Sequence, residues 1–155
     1  MKITGKIRFV ERKDLPQVIA LCQLHADYER AAYNSNNKLE RLEEALFAPV
    51  PKLYCLVAES NGELIGYATY MEQYATWDAA TYIYMDCLFI KESARGLRIG
   101  EKLVKRIEKE GRVLGCNLIQ WQTPDFNTQA MKFYHRIGAS SKSKERFFLT
   151  IDAKS

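Results

Sequence analysis

Arg95-Gly96-Leu97-Arg98-Ile99-Gly100 decides how this chain folds, because of what stands on either side of it. Before it, Thr81 to Ile90 is a run of β-branched and aromatic residues long enough for a strand. After it, Ile99, Leu103, Ile107 and Leu114 place an apolar stripe on a helix that ends before Gly115. A loop between strand and helix brings several backbone N–H groups toward one point, and the helix start adds roughly half a positive charge. Glycines let the main chain come close to a ligand, and Arg95 and Arg98 add charge-assisted hydrogen bonds. The hexapeptide reads as a cradle for a phosphate-type anion, against the plainer reading of a solvated basic turn. It has neither the Gly-x-Gly-x-x-Gly of a dinucleotide fold nor the Gly-Lys-Ser/Thr ending of a P-loop.

Working outward, the charge gathers in the same place. Lys91, Arg95, Arg98, Lys102, Lys105 and Arg106 outnumber Glu92 and Glu101 there, which accounts for the whole formal charge of +4. A local basic site suits one small polyanion and not a long phosphate backbone, so nucleic acid is not expected as a partner. A length of 155 residues indicates a single domain, 1–155, able to bury roughly 70% of its unfolded surface. With 47% hydrophobic and 27% charged residues and no apolar run near the roughly 20 residues of a membrane span, a soluble globular protein is expected. The first residues, Met1-Lys2-Ile3-Thr4-Gly5-Lys6, lack the apolar stretch of a signal peptide, which points to the cytoplasm. Cys22, Cys55, Cys87 and Cys116 form no Cys-x-x-Cys pair, and with only His25 and His135 beside them they are expected to be reduced thiols and no metal is expected.

Upstream, Ile7 to Val10 reads as a strand, followed by Asp14 as an N-cap with Pro16 in the first helical turn. Leu15, Val18, Ile19 and Cys22 mark the buried face of that helix, which ends near Tyr28. Asn36 or Asn37 caps a second helix carrying Leu39, Leu42 and Leu46, stopping before Pro49 and Pro51. Leu53 to Glu59 and Leu64 to Met71 are strands joined by the hairpin dipeptide Asn61-Gly62. Downstream, Leu118 to Gln122 reads as a strand, Asn127 to Arg136 as a helix and Arg146 to Ile151 as a last strand. The order predicts an α+β fold, a sheet covered by helices on both faces.

A second block, Asp125-Phe126-Asn127-Thr128-Gln129-Ala130-Met131-Lys132-Phe133-Tyr134-His135-Arg136-Ile137-Gly138-Ala139, resembles the Asn-x-x-Ala-x-x-Phe-Tyr-x-x-x-Gly-Ala/Phe signature of the GCN5-related N-acetyltransferase superfamily. The loop resembles that superfamily's Arg/Gln-x-x-Gly-x-Gly/Ala pattern, with Arg98 where its middle glycine is expected. Leu24 to Glu29, Tyr54 to Glu59, Ile65 to Ala68 and Tyr84 to Ile90 are similar to segments of the diamine and spermidine/spermine acetyltransferases. That subfamily usually has two consecutive acids where this chain has Asp86-Cys87.

The resemblance implies a mixed, mostly antiparallel sheet of six to seven strands with about four helices, acetyl-CoA as cosubstrate, a small amine acceptor and a homodimer. It implies that Arg95, Gly96, Leu97, Arg98, Ile99, Gly100 and Glu101 hold the cofactor, with Asn127, Thr128, Gln129 and Ala130 along its arm and Tyr134 near the thioester sulfur.

A primary alkyl amine with a pKa near 10.4 is neutral in only about one molecule in a few thousand at pH 7, so a proton must be removed. Asp86 is the candidate to hold the ammonium and take its proton, directly or through water. Backbone N–H groups of Leu88, Phe89 or Ile90, left unpaired where strands splay, are candidates to stabilise the oxyanion. Tyr134, as a phenol, is the candidate to protonate the leaving thiolate. Asp27, Tyr28 and Glu29 close the first helix with groups suited to a second cation, as a solvated helix end also would, and Glu72, Tyr74, Trp77 and Asp78 are available to line a groove. His25 and His135 read as surface or packing residues. Two other functions stay open: acetylation of a peptide N-terminus or lysine, and CoA sensing without catalysis.

Overall fold

Alternating buried residues draw the sheet. In a computed structural model describing residues 3–153, β1 (Lys6–Phe9), β2 (Tyr54–Ser60), β3 (Glu63–Ala75), β4 (Ala80–Ile90) and β5 (Ile119–Gln120) lie side by side in that order. The first three pairings are antiparallel and the last is parallel. β2 and β3 meet at Asn61 and Gly62, whose φ values of 53° and 80° give the turn whose twist matches the strands.

Three helices cover the sheet: α1 (Leu15–Tyr28), α2 (Lys38–Leu46) and α3 (Ile99–Val113). Leu15, Val18 and Leu21 of α1 and Leu46 of α2 pack with Cys55, Val57, Tyr67 and Phe89 on one face. On the other, Ile83 of β4 comes close to Gly111 of α3, and Tyr70 feels the charges of Arg106 and Glu110. The strands are therefore buried on both faces, which fits their long apolar runs.

Helix starts differ from the expected caps. Asp14 precedes α1, but its side chain caps nothing there; it accepts from both terminal nitrogens of Arg8 and from the Glu11 N–H instead. Arg8 also reaches Glu59 on β2, so the pair ties the first strand and the turn Arg12–Asp14 to the sheet. Asn37 precedes α2 with φ 60°, again with no side-chain cap.

Among the described residues five strands form where six or seven were expected. The segment Arg146–Ile151 is irregular, with Phe147, Phe148, Leu149 and Ile151 all strongly exposed. Its residues favour an extended backbone, but propensity does not make a strand without a hydrogen-bonded neighbour. β5 also shrinks to two residues, because only Ile83 and Tyr84 of β4 lie beside it.

The chain divides into two compact units, one up to Pro124 holding the sheet and α1 to α3, the other from Asp125 onward holding α4 (Thr128–Arg136). All four cysteines are free thiols.

Candidate active site

The register of β3 against β4 slips by one residue at a single point. Thr69 faces Cys87 and Tyr70 faces Met85, so Asp86 is the extra residue of a β-bulge. A bulge inverts the facing pattern that follows it. Ile83 packs toward α3, whereas Cys87 and Phe89 join the α1 side. Asp86 is exposed, its Oδ2 lies 3.7 Å from Cys87 Sγ, and its charge reaches Cys22 of α1, which puts the carboxylate on the α1 face.

The slip also decides which amides of β4 are available. Ile83 donates its N–H to Leu118 beside β5, and Lys91 donates its N–H to Ile65 of β3. Counting between these anchors through the bulge, Phe89 turns its amide to β3, while Leu88 and Ile90 turn theirs to the side from which β5 has ended. Of the three amides the sequence offered, two face the open edge. Gly66 lets β3 lie close at this point: a Cβ there would stand 2.9 Å from the Phe89 carbonyl oxygen and 2.6 Å from Ile90 Cδ1.

The loop after β4 is pinned at both ends by buried Ala94 and Ile99 and exposed between, from Arg95 to Arg98. Gly96 and Arg98 both take positive φ, 83° and 61°. Arg98, which stands where the resembling pattern has glycine, thus adopts a left-handed backbone immediately before the first residue of α3. No side chain caps that helix start. Lys91 pairs with Glu63 and Arg106 with Glu110, whereas Arg98, Lys102 and Lys105 make no ion pair among the described residues. An uncapped helix start, an open backbone turn and unpaired cations fit a pyrophosphate.

Arg95 is more constrained than a free phosphate ligand. Its Nε donates to the Ile90 carbonyl at 3.0 Å, and its guanidinium lies over Tyr28 at 4.6 Å and Phe89 at 5.5 Å. The loop, the end of β4 and the end of α1 meet at this cation.

At the end of α1, Asp27 accepts from Gln23 and is engaged within its own helix. Glu29 stands at the C-cap and lies 2.6 Å from His25 Nε2. His25 Nδ1 lies 2.8 Å from the Tyr67 hydroxyl, and its ring stacks on Phe89 at 5.1 Å. His25, expected as a surface or packing residue, is also the middle member of a polar chain. The Glu29 spacing of four residues was a visible signal, but Tyr67 and Phe89 come from strands far along the chain.

Beneath this chain lie the thiols. Burial foremost, then the Asp86 charge, pushes Cys87 up to about 12, and burial likewise raises Cys22 and Tyr67. These groups stay protonated at neutral pH, so Cys87 does not supply the second carboxylate of the diamine pattern. The buried hydroxyls of Thr69 and Tyr33 have no conventional partner; the sulfurs of Cys87 and Cys22 are what each meets. Trp77 stands fully in solvent at the β3–β4 turn and Tyr74 is largely exposed, so neither is gathered with Asp86. No three metal-ligating side chains converge among the described residues, and none of the helices there is long and apolar enough to cross a membrane.

In the second unit, the Asn127 side chain accepts from the Ala130 N–H at 3.3 Å and so caps α4. Thr128 and Gln129 open the helix, Tyr134 packs against Phe133 at 5.3 Å, and the Tyr134 carbonyl accepts from Ala139. His135 Nδ1 bonds the Ala139 carbonyl at the helix end.

A mostly antiparallel sheet ends in a short parallel pair, and the exposed basic loop with its uncapped helix start follows the same strand, β4. Residues 18–139 match the acetyltransferase (GNAT) family, and the chain belongs to that family. It is 30% identical over 141 residues to the thialysine N-epsilon-acetyltransferase of Bos taurus, covering 86% of this chain and 82% of that protein. It is 26% identical to a human spermidine/spermine N(1)-acetyltransferase-like protein 1, covering 90% of this chain and 21% of that one. The fold superposes on the aminoglycoside N-acetyltransferase AAC(6')-Iy, solved with CoA, with a TM-score of 0.81 at 20% identity over 97% of each chain.

Proposed function

We propose that this acyltransferase moves the acetyl group of acetyl-CoA onto the primary amine of a small dicationic or polycationic acceptor, working in the cytoplasm as a homodimer. The observation that carries the reading is the bulge at Asp86, which sets an exposed carboxylate next to two β4 amides that face an open edge. The thialysine and spermidine/spermine relatives support the amine class, and the family resemblance supports the dimer.

In this reading the loop from Arg95 to Glu101 binds the cosubstrate's pyrophosphate through backbone N–H groups and the unpaired cations, with Asn127 to Ala130 contributing along its pantetheine arm. Asp86 holds the incoming ammonium and takes its proton, directly or through water, freeing the nitrogen lone pair to attack the acetyl carbonyl. The Leu88 and Ile90 N–H groups stabilise the oxyanion that forms. Collapse breaks the carbon–sulfur bond as Tyr134 gives its proton to the departing thiolate, and the surplus proton on the adduct's nitrogen passes through water to restore the phenol. Tyr28 and Glu29 receive the acceptor's second cation.

The test is release of free CoA thiol against a panel of diamines, amino acids and peptides, with a blank for the protein's own four cysteines. Turnover confined to peptides would replace the small-amine reading, and binding of acetyl-CoA with no turnover on any acceptor would leave a CoA sensor. Asp86→Asn should lose most rate well below the acceptor's pKa and regain part of it as pH rises; an equal loss at every pH would remove Asp86 from the proton transfer.

A further inference from the structure

Glu29 occupies an electrostatically awkward place. It caps the C-terminus of α1, where the helix carries roughly half a negative charge, so its carboxylate is disfavoured unless donors compensate. The same place favours an arriving cation, which meets the carboxylate and the helix end together. A carboxylate there serves as a cation receptor only if something aims it.

His25 is placed to do so. Its side chain is 13% exposed, against 34% for Glu29, so the imidazole sits behind the carboxylate. Phe89 stacks on one ring face with planes 22° apart, and Tyr67 meets the ring edge at 75°. These contacts fix the ring's plane and rotation. Glu29 accepts only, so Nε2 carries the proton and donates to it at 2.6 Å. Nδ1 on the far side of the ring lies 2.8 Å from the buried Tyr67 hydroxyl, a group that both donates and accepts. Tyr67 thereby anchors the ring from behind while Nε2 points at Glu29. Among the described residues only one Glu29 oxygen is engaged, by His25, and a ligand would meet the other. Glu29 ends α1, and the Asp86 charge reaches Cys22 of the same helix, so both carboxylates lie on the α1 side of the sheet.

We propose that His25, anchored by Tyr67 and Phe89, is a positioning residue that holds Glu29 as the receptor for the acceptor's distal ammonium and so makes the enzyme selective for dicationic over monocationic amines. The proposal rests on the reading of Glu29 as a cation receptor and deepens it. His25 acts through Glu29 and touches no reacting atom, so its effect belongs in KM.

The experiment compares 1,4-diaminobutane and longer diamines with the monoamines in which a methyl group replaces the distal ammonium. Glu29→Gln should raise KM for the diamines by about 10-fold or more relative to the monoamines. His25→Phe, which keeps the stack on Phe89 but removes both nitrogens, should raise the same ratio by about 5- to 10-fold. His25→Gln, whose amide can again donate to Glu29, should recover much of the loss. In the double variant His25→Phe should add nothing to Glu29→Gln, because one acts through the other. A fully additive pair, or equal KM rises for both amine classes, would mean that His25 only supports the fold and would overturn the proposal. A Glu29→Gln effect with His25→Phe silent would overturn it while leaving the Glu29 reading standing. A silent Glu29→Gln, or no turnover of any dicationic amine, would take down that reading and the proposal together.

Discussion

Arg95 donates its Nε proton to the carbonyl of Ile90 across 3.0 Å, closing the basic loop onto the end of β4. The same guanidinium covers Tyr28 at 4.6 Å, so one side chain joins the proposed cofactor loop to the proposed acceptor end of α1. Arg95→Ala should cost about 1 to 2 kcal/mol of stability, from a hydrogen bond and an exposed cation–π contact. It should also raise the acetyl-CoA Kd about 10-fold through the lost cation and the loosened loop. Calorimetric titration and urea denaturation read the two effects separately, and unchanged cofactor binding would remove Arg95 from the pyrophosphate contacts. Arg95→Lys should repair little, since an ammonium reproduces neither the Nε geometry nor the flat stack.

Arg98 holds φ at 61° directly before α3. A left-handed backbone costs a residue with a Cβ about 1 to 2 kcal/mol, partly offset by the greater chain entropy that glycine brings to the unfolded state. Arg98→Gly should therefore raise stability by about 0.5 to 1 kcal/mol and at the same time weaken acetyl-CoA binding, because a cation free of ion pairs is lost. Opposite signs in the urea midpoint and the cofactor affinity are the expected result. A loss of stability would show that the Arg98 side chain contributes more to the fold than its backbone strain costs.

The order of strands and helices was legible because most elements carry their own periodic signal, as in Leu15, Val18, Ile19 and Cys22 or in the Asn61-Gly62 turn. The motif blocks could be read for the same reason, being local. The bulge at Asp86 could not, because it exists only in the register between two strands and leaves no mark in the run Tyr84 to Ile90. His25 shows both cases: its spacing from Glu29 was in the sequence, whereas the phenol that anchors its ring arrives from β3. Arg146 to Ile151 failed in the other direction, with strand-forming residues that the structure leaves irregular.

The Arg8 guanidinium, foremost by hydrogen bonding, holds the Asp14 carboxyl below the usual carboxylate range, against the opposing effect of burial. A folded-state pKa below the unfolded one means that this stability is fully present above about pH 4 and is lost as the pH falls through the folded value. Asp14→Asn should cost about 2 to 3 kcal/mol at pH 7, since Arg8 keeps Glu59 but loses its buried partner. The variant's stability should also depend less on acid than that of the wild type. Urea midpoints measured from pH 7 down to pH 3 check both points; parallel curves for the two proteins would place the acid sensitivity elsewhere.

Tyr134 separates catalyst from binder. It lies in α4, half-buried, with its ring against Phe133, and its carbonyl helps close the helix end through Ala139. Tyr134→Phe keeps the ring and every backbone bond, so α4 should survive and acetyl-CoA affinity should change little. Only the hydroxyl is lost. If that hydroxyl protonates the departing thiolate, kcat should fall by about 10²- to 10⁴-fold, the usual range for general acid catalysis. A thiolate leaves more easily unaided as the pH approaches its own pKa, about 8.5 with free cysteine as the guide, so the defect should narrow toward alkaline pH. A pH–rate profile of both proteins, with a calorimetric cofactor titration on each, measures this. Equal turnover would end the assignment of Tyr134 as the acid. A deficit that stays constant with pH would mean that the hydroxyl orients a reactant without transferring a proton to the sulfur.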